Sequence, residues 1–222
     1  MRVRRLHDWP AAIPEAEAIQ ERLRPLVVLD DPGPENVELV AGLDVAYSAG
    51  DDQVTAAVVV LDARTLEVAE QVVVSRPVRF PYVPGLFAFR ELPALVEALE
   101  KLTVTPDLLV CDGYGLAHPR RFGLACHLGV LTDLPTLGVG KTAFVGTYEV
   151  PGTERGSWSP IVDGGEVVGR SLRTQTGVKP VFVSQGHRVG LDEACRHVLG
   201  LTPKFRLPEP IRRADRLSRG QS

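Results

Sequence analysis

Residues 39–74, LVAGLDVAYSAGDDQVTAAVVVLDARTLEVAEQVVV, hold three apolar runs parted by two short turn-forming segments. Leu39–Tyr47 is apolar but interrupted by Asp44. Val54–Leu61 is apolar almost throughout, and Leu66–Val74 alternates at its start. Runs of this length, rich in valine and joined by SAGDDQ and DART, predict three antiparallel strands in a meander. On the N-terminal side, DDPGPEN (30–36) is a turn cluster. Before it, Pro14, the early acids Glu15 and Glu17, and Ala16, Ile19, Leu23 and Leu26 predict a helix from about Pro14 to Pro25.

After the meander, Leu92, Leu95, Val96, Leu99 and Leu102 recur at helical spacing and predict a helix from about Leu86 to Lys101, with Pro93 disturbing it. Thr105–Asp112 (TPDLLVCD) reads as a short buried strand that ends on an acid. A helix over Leu124–Leu131 and a strand over Pro135–Val139 follow. Val167–Leu172 and Val181–Ser184 read as strands, Leu191–Gly200 and Glu209–Ser218 as helices, and 151–165 as loop. The order strand, strand, strand, helix, strand, helix, strand predicts an α/β fold. It is a mixed sheet, three antiparallel strands then parallel strands, with helices on both faces. That order is the ribonuclease H-like arrangement. No internal repeat or linker interrupts it, so a single domain over residues 1–222 is expected.

Composition narrows the function. The chain is 44% hydrophobic and 24% charged, enough apolar material for a sizeable core. No apolar run approaches the ~18 residues of a membrane span. The basic start MRVRRLHDWP is not followed by an apolar stretch, so no secretory signal is expected. Cys111, Cys126 and Cys195 form no CxxC pair, which speaks against a disulfide framework or a cysteine zinc site and for a reducing cytoplasm. The net charge of −3 is unevenly spread: residues 1–112 carry −9 and residues 113–222 carry +6. A basic half suits a polyanionic partner, and reads equally as halves that interleave in the fold so that their charges mix.

Three acids sit where acids are costly or exposed to reaction. Asp44 interrupts an apolar strand, Glu91 lies near the start of the helix after the meander, and Asp112 closes the fourth strand. A carboxylate in an apolar strand needs a partner or a metal. Oxygen-only clusters suit Mg²⁺ or Mn²⁺. Taken singly each acid reads as a solvated or salt-bridged residue, with Arg90 a ready partner; taken together in this element order they point to a metal. Two other motifs fail. GVGKT (138–142) would need a glycine at position 135, which is proline, so it is no phosphate loop. GYGLAH (113–118) has His118 where a dinucleotide fingerprint has its last small residue.

Several stretches occur together in order: VAGLDVAYS (40–48), FPYVPGLFAFRE (80–91), DGYGLAHPRRFGLACHLG (112–129), GVGKT (138–142), SQGHRVGLDEA (184–194) and LPEPIRRADRLSR (207–219). Jointly they resemble the endonuclease V family over about residues 15–219. The resemblance implies a ribonuclease H-like fold and Mg²⁺-dependent hydrolysis, with Mn²⁺ able to substitute, of the second phosphodiester bond 3′ to an inosine. It implies 3′-hydroxyl and 5′-phosphate products and a role in repair. The acids it assigns to the metal are Asp44, Glu91 and Asp112, together with Asp215. Asp215 reads equally well as an Arg-paired helix residue beside Arg212 and Arg216.

By the same resemblance Lys141 orients the attacking water or holds the scissile phosphate, and Pro81, Tyr82, Val83 and Pro84 form a strand-separating wedge. Two prolines stiffen that loop and Tyr82 offers a face to stack on. Gly85, Gly113, Gly123 and Leu124 are candidates for a base pocket whose backbone groups would read hypoxanthine, and His118 for a phosphate contact or for defining the active loop. Arg196, Lys204, Arg206, Arg212, Arg213, Arg216 and Arg219 are candidates to follow the phosphate backbone. DNA is favoured over RNA as substrate, and a monomer is expected. A cleaving ribonuclease of the same specificity, or a non-cleaving nucleic-acid-binding relative, are the alternatives.

Overall fold

The computed structural model describes residues 1–221. The meander is present: β1 (Leu39–Tyr47) pairs antiparallel with β2 (Gln53–Asp62), and β2 with β3 (Val68–Pro77). Helix α1 (Ile13–Leu23) precedes it and runs into a 3₁₀ turn over Arg24–Leu26, close to the predicted helix. After β3 come α2 (Ala88–Glu100), β4 (Leu108–Asp112), α3 (Leu124–Thr132) and β5 (Thr136–Gly140). β4 lies parallel to β1, and β5 parallel to β4. β6 (Trp158–Asp163), β7 (Glu166–Leu172) and β8 (Val181–His187) continue the sheet antiparallel from β5 outward, and α4 (Leu191–Gly200) and α5 (Glu209–Ser218) follow. All eight strands share one sheet in the order β3-β2-β1-β4-β5-β8-β7-β6. This is the mixed, ribonuclease H-like sheet that the element order predicts.

The pleat sorts the core into two layers. Ala41 and Leu43 of β1, Leu109 and Cys111 of β4, and Val58 and Val60 of β2 pack under α2 and α3 through Leu92, Leu95, Leu99, Leu124 and Leu128. The alternate residues, Val40, Leu108, Val110, Val59 and Leu61, pack under α4 and α5 through Val198, Ile211 and Ala214. Helices therefore cover both faces, as expected. Pro93 sits inside α2 rather than at its end. It removes one intrahelical donor, and the helix persists because its apolar face is fully buried.

The one element that sequence reading misses is β6, inside residues 151–165. Its burial alternates at Trp158–Ile161, but Ser159 rather than an apolar residue occupies one inward position and Pro160 lies in its middle. Proline cannot donate to a ladder and is tolerated here because β6 is the sheet's outer strand.

Gly42 positions α5. A Cβ at Gly42 would lie 2.1 Å from the carbonyl carbon of Pro210, so the α5 backbone rests directly on β1. Gly42→Ala is expected to lower the unfolding free energy by about 1–3 kcal/mol through overpacking. The denaturant midpoint checks this; an unchanged midpoint would mean that α5 moves aside without penalty.

Candidate active site

Leu43 of β1 pairs with Cys111 of β4, so the residues that follow them, Asp44 and Asp112, lie side by side on adjacent parallel strands. Their Cβ atoms point to the α5 face, the face on which Gly42 meets Pro210. On that side Lys141, just past the end of β5, donates from Nζ to Asp112 Oδ2 at 2.6 Å. Ser218 of α5 donates from Oγ to Asp44 Oδ2 at 3.4 Å. Glu91 comes from α2, on the other face, and accepts a hydrogen bond from the Tyr47 hydroxyl at 3.3 Å. Asp44, Glu91 and Asp112 line one cavity of about 300 Å³.

The charges in this cavity oppose one another. Burial, then the charges of Asp112 and Asp215, push the Asp44 carboxyl up to about 7. Burial, then the charge of Asp44, pushes Glu91 up to about 8. For Lys141 burial works against the charge. The hydrogen bond and charge of Asp112, helped by Asp44 and Asp215, outweigh it and hold the ammonium above its ordinary value. Carboxylates that ionise only reluctantly are a donor set lacking positive charge, and their oxygens suit a hard divalent cation. Among the described residues, no three His, Cys, Asp or Glu side chains already form a closed metal-holding cluster. The acids share a cavity, approached from both faces of the sheet, rather than a preassembled cage.

Asp215 lies near Asp44 on α5: Ser218 Oγ, which reaches Asp44, also donates to the Asp215 carbonyl at 2.9 Å, and the Asp215 charge helps to raise the Asp44 carboxyl. Its own ion pair is with Arg219, Nε to Oδ1 at 3.0 Å, and not with Arg212 or Arg216 as the sequence suggested. Those two differ again: Arg212 pairs with Glu209, while Arg216 is exposed.

The remaining candidates are partly gathered. Gly85, Gly113, His118, Gly123 and Leu124 all line the same cavity. Gly85 and Gly113 have φ of +82° and +148°, values that L side chains rarely adopt. A Cβ at Gly123 would lie 2.3 Å from the Tyr114 carbonyl oxygen, so its lack of a side chain serves the packing of its own loop. His118 is not free to meet a phosphate. It is 4% exposed, and its Nδ1 accepts the Arg120 amide at 3.1 Å. That leaves the proton on Nε2, which donates to the Gly85 carbonyl at 2.9 Å. Burial pushes this imidazole down to about 4, so it stays neutral and ties the glycine loop to the loop that carries Gly85.

In Pro81-Tyr82-Val83-Pro84, Tyr82 is 69% exposed while Val83 packs against the Ala16, Phe80 and Phe89 cluster. The Tyr82 ring rests 4.6 Å from that of Phe87. Behind it the buried Arg90 donates to the Phe80 carbonyl at 3.0 Å and to Asp51 at 2.8 Å. The loop is thus anchored at its base with the tyrosine standing proud. The basic candidates are mostly engaged locally: Arg196 with Glu193, Arg213 with Glu209, and Arg206 with three backbone carbonyls.

Sequence reasoning missed several cavity neighbours. Tyr47 lies three residues beyond Asp44. Tyr114 and Phe144 stack at 5.1 Å on the cavity wall, and the Tyr114 hydroxyl donates to the Thr142 carbonyl at 3.0 Å. Their nearness in sequence to Asp112 and Lys141 was the available signal.

Comparison with known proteins follows the same residues. The family model described as Endonuclease V matches residues 21–216. An endonuclease V from Streptomyces avermitilis is 59% identical over 212 residues, 95% of this chain and 93% of that protein. The crystal structure of an endonuclease V from Bacillus subtilis superposes with a TM-score of 0.94 at 33% identity, covering 99% of this chain and 96% of that one. The endonuclease V of Ciona intestinalis, crystallised in complex with a 24mer DNA containing an inosine followed by a ribo-adenosine, superposes at 0.83 with 30% identity, covering 94% and 96%. No helix among the described residues is long and apolar enough to cross a membrane. A match over most of its length, at up to 59% identity, makes this chain a member of the endonuclease V family, and an endonuclease.

Proposed function

We propose that this endonuclease recognises inosine in DNA and hydrolyses the second phosphodiester bond on its 3′ side, leaving 3′-hydroxyl and 5′-phosphate ends and so starting repair of deaminated adenine. The observation that carries this reading is the meeting, in one cavity, of Asp44, Glu91 and Asp112 with Gly113, His118 and Leu124. About 300 Å³ is at the small end of ligand pockets and suits a single base. The inosine-containing DNA in the Ciona intestinalis relative supports the same substrate. One sheet holds all eight strands, which supports treating the chain as one domain.

Asp44, Glu91 and Asp112 are the residues to hold Mg²⁺ or Mn²⁺, with Asp215 nearby on α5 and held by Arg219. A bound divalent cation supplies Lewis acidity toward the scissile phosphate and makes water a stronger nucleophile. Lys141, already on Asp112, orients that carboxylate and presents a fixed positive charge to the phosphate. Tyr47 holds Glu91 in place through its hydroxyl. Tyr82 enters the stack that the inosine leaves, and the neutral His118 keeps the Gly85 carbonyl and the glycine loop in register around the displaced base.

The test is cleavage of matched single-inosine DNA and RNA strands, with Mg²⁺ and with EDTA, mapping the cut. Cleavage one bond past the base's own 3′ phosphodiester, in DNA and only with the metal, is expected. Cutting of inosine-free strands at the same rate would overturn the specificity. If Tyr82 replaces a stacking partner, Tyr82→Ala should reduce cleavage of double-stranded substrate about tenfold more than single-stranded substrate, because only the duplex must be opened. Equal reductions would remove the wedge role.

A further inference from the structure

The loop between α4 and α5 presents one exposed aromatic ring among cations. Phe205 is 40% exposed. The Arg212 guanidinium carbon lies 3.5 Å from its ring centroid, and Lys204 Nζ lies 5.5 Å from it. The loop is tied down on both sides. Gln175 Nε2 donates to the Phe205 carbonyl at 3.1 Å. The next residue, Arg206, donates to the carbonyls of Lys141 at 2.7 Å, Lys179 at 3.0 Å and Pro180 at 2.7 Å. Arg206 thereby brings Phe205 beside the backbone of the lysine that contacts Asp112. Three of the chain's four lysines, Lys141, Lys179 and Lys204, belong to this neighbourhood. Lys179 and Lys204 are exposed.

Burial does not explain such a ring. A phenylalanine left open to water, in a loop whose backbone is clamped, gains little from the core. It does have the properties of a stacking surface: a clamped position, a ring 40% exposed, the Arg212 guanidinium laid over one face, and the Lys204 ammonium nearby to meet phosphates.

We propose that Phe205, with Lys204 and Arg212, is a binding subsite for the strand on the 3′ side of the scissile bond. This rests on the inosine-directed cleavage proposed above, which supplies the polarity. The candidate base cavity opens on the α2 and α3 side of Asp44 and Asp112, whereas Lys141, Arg206 and Phe205 lie with α5 on the other side. A strand whose inosine occupies the cavity, and whose second 3′ phosphodiester bond lies over the carboxylates, leaves them toward Lys141 and Phe205. The nucleotides after the cut are the ones that meet the ring.

The experiment compares single-inosine DNA strands with a long arm or a one-nucleotide arm beyond the cut, each with the same long 5′ arm. Binding is measured in EDTA and kcat/KM with Mg²⁺. Phe205→Ala is expected to weaken binding and lower kcat/KM about tenfold on the long 3′ arm and to change neither on the short one. Phe205→Trp should restore the wild-type values. Lys204→Ala, at an exposed position, should reduce the salt slope of long-arm binding by about one without altering the short-arm slope. Losses that are equal for both arms, that track the 5′ arm instead, or that are absent on the long arm would overturn the subsite. A wild-type enzyme that fails to cut the inosine strands would instead overturn the reading of the reaction, and the EDTA binding comparison would still decide the subsite.

Discussion

Asp112→Ala and Asp44→Ala should each lower cleavage of an inosine-containing strand by at least about a thousandfold, the scale of a lost metal contribution of several kcal/mol to the barrier. Asp112 is the most connected of the acids. It ends β4 next to Asp44 of β1, and it holds Lys141 at 2.6 Å. Removing it deletes a cation donor and leaves Lys141 without its anchor. Burial, then the charges of Asp112 and Asp215, hold the Asp44 carboxyl above its ordinary range, so a bound cation relieves it. Binding of the uncut strand in EDTA should be unchanged or slightly tighter in both variants, because each removes a negative charge that faces phosphate. Near wild-type cleavage by either variant would remove the assignment of these carboxylates to the reaction. Loss of binding in step with cleavage would show that they shape the cleft rather than the chemistry.

In EDTA at pH 8, Asp44→Asn should raise the unfolding free energy by about 2 kcal/mol, about 5 °C in Tm for a chain of this size, with no gain at pH 4. The sign follows from the direction of the shift. In the unfolded chain Asp44 ionises near pH 4; in the folded chain burial and its acidic neighbours delay ionisation to about 7, and Glu91 to about 8. Between these values the folded state binds more protons than the unfolded state, so stability falls as pH rises through 4 to 8. An asparagine at position 44 is neutral throughout. It relieves its own desolvation and the repulsion on Asp112 and Glu91. Comparing variant with wild type at each pH cancels the other titrating groups, including the buried histidines. A variant less stable than wild type at pH 8, or shifted equally at both pH values, would contradict the electrostatic account of the cavity. Saturating Mg²⁺ should reverse the order, since a cation favours the ionised form only in the wild type.

The acids were legible for a specific reason. Asp44 breaks an apolar strand and Asp112 ends one, and a charge in such a place demands a partner that local sequence does not supply. Tyr82 was legible because two flanking prolines stiffen an otherwise unremarkable loop. For His118 the sequence left a phosphate contact and a role in shaping the active loop both open, because its occupied nitrogens depend on Gly85, 33 residues away, as well as on the nearby Arg120 amide. Ser218 on Asp44 is separated by 174 positions and was invisible for the same reason. β6 was hidden because a serine takes one of its two inward positions and a proline sits between them, leaving Ile161 as its one buried apolar residue.

Period-two and period-3.6 patterns of apolar residues, and the turns between them, were enough to specify the meander, the two central parallel strands and helices on both faces, because burial of each element's own apolar face is a local property of its residues. What only the tertiary structure decided was which side of the sheet each polar group serves. The crossing of β1 beside β4, the seat of α5 on Gly42 and the clamp of Arg206 on Lys141 bring groups from opposite ends of the chain into one electrostatic environment. Charge interactions depend on separation in space, and that separation is set only when the sheet closes over its helices.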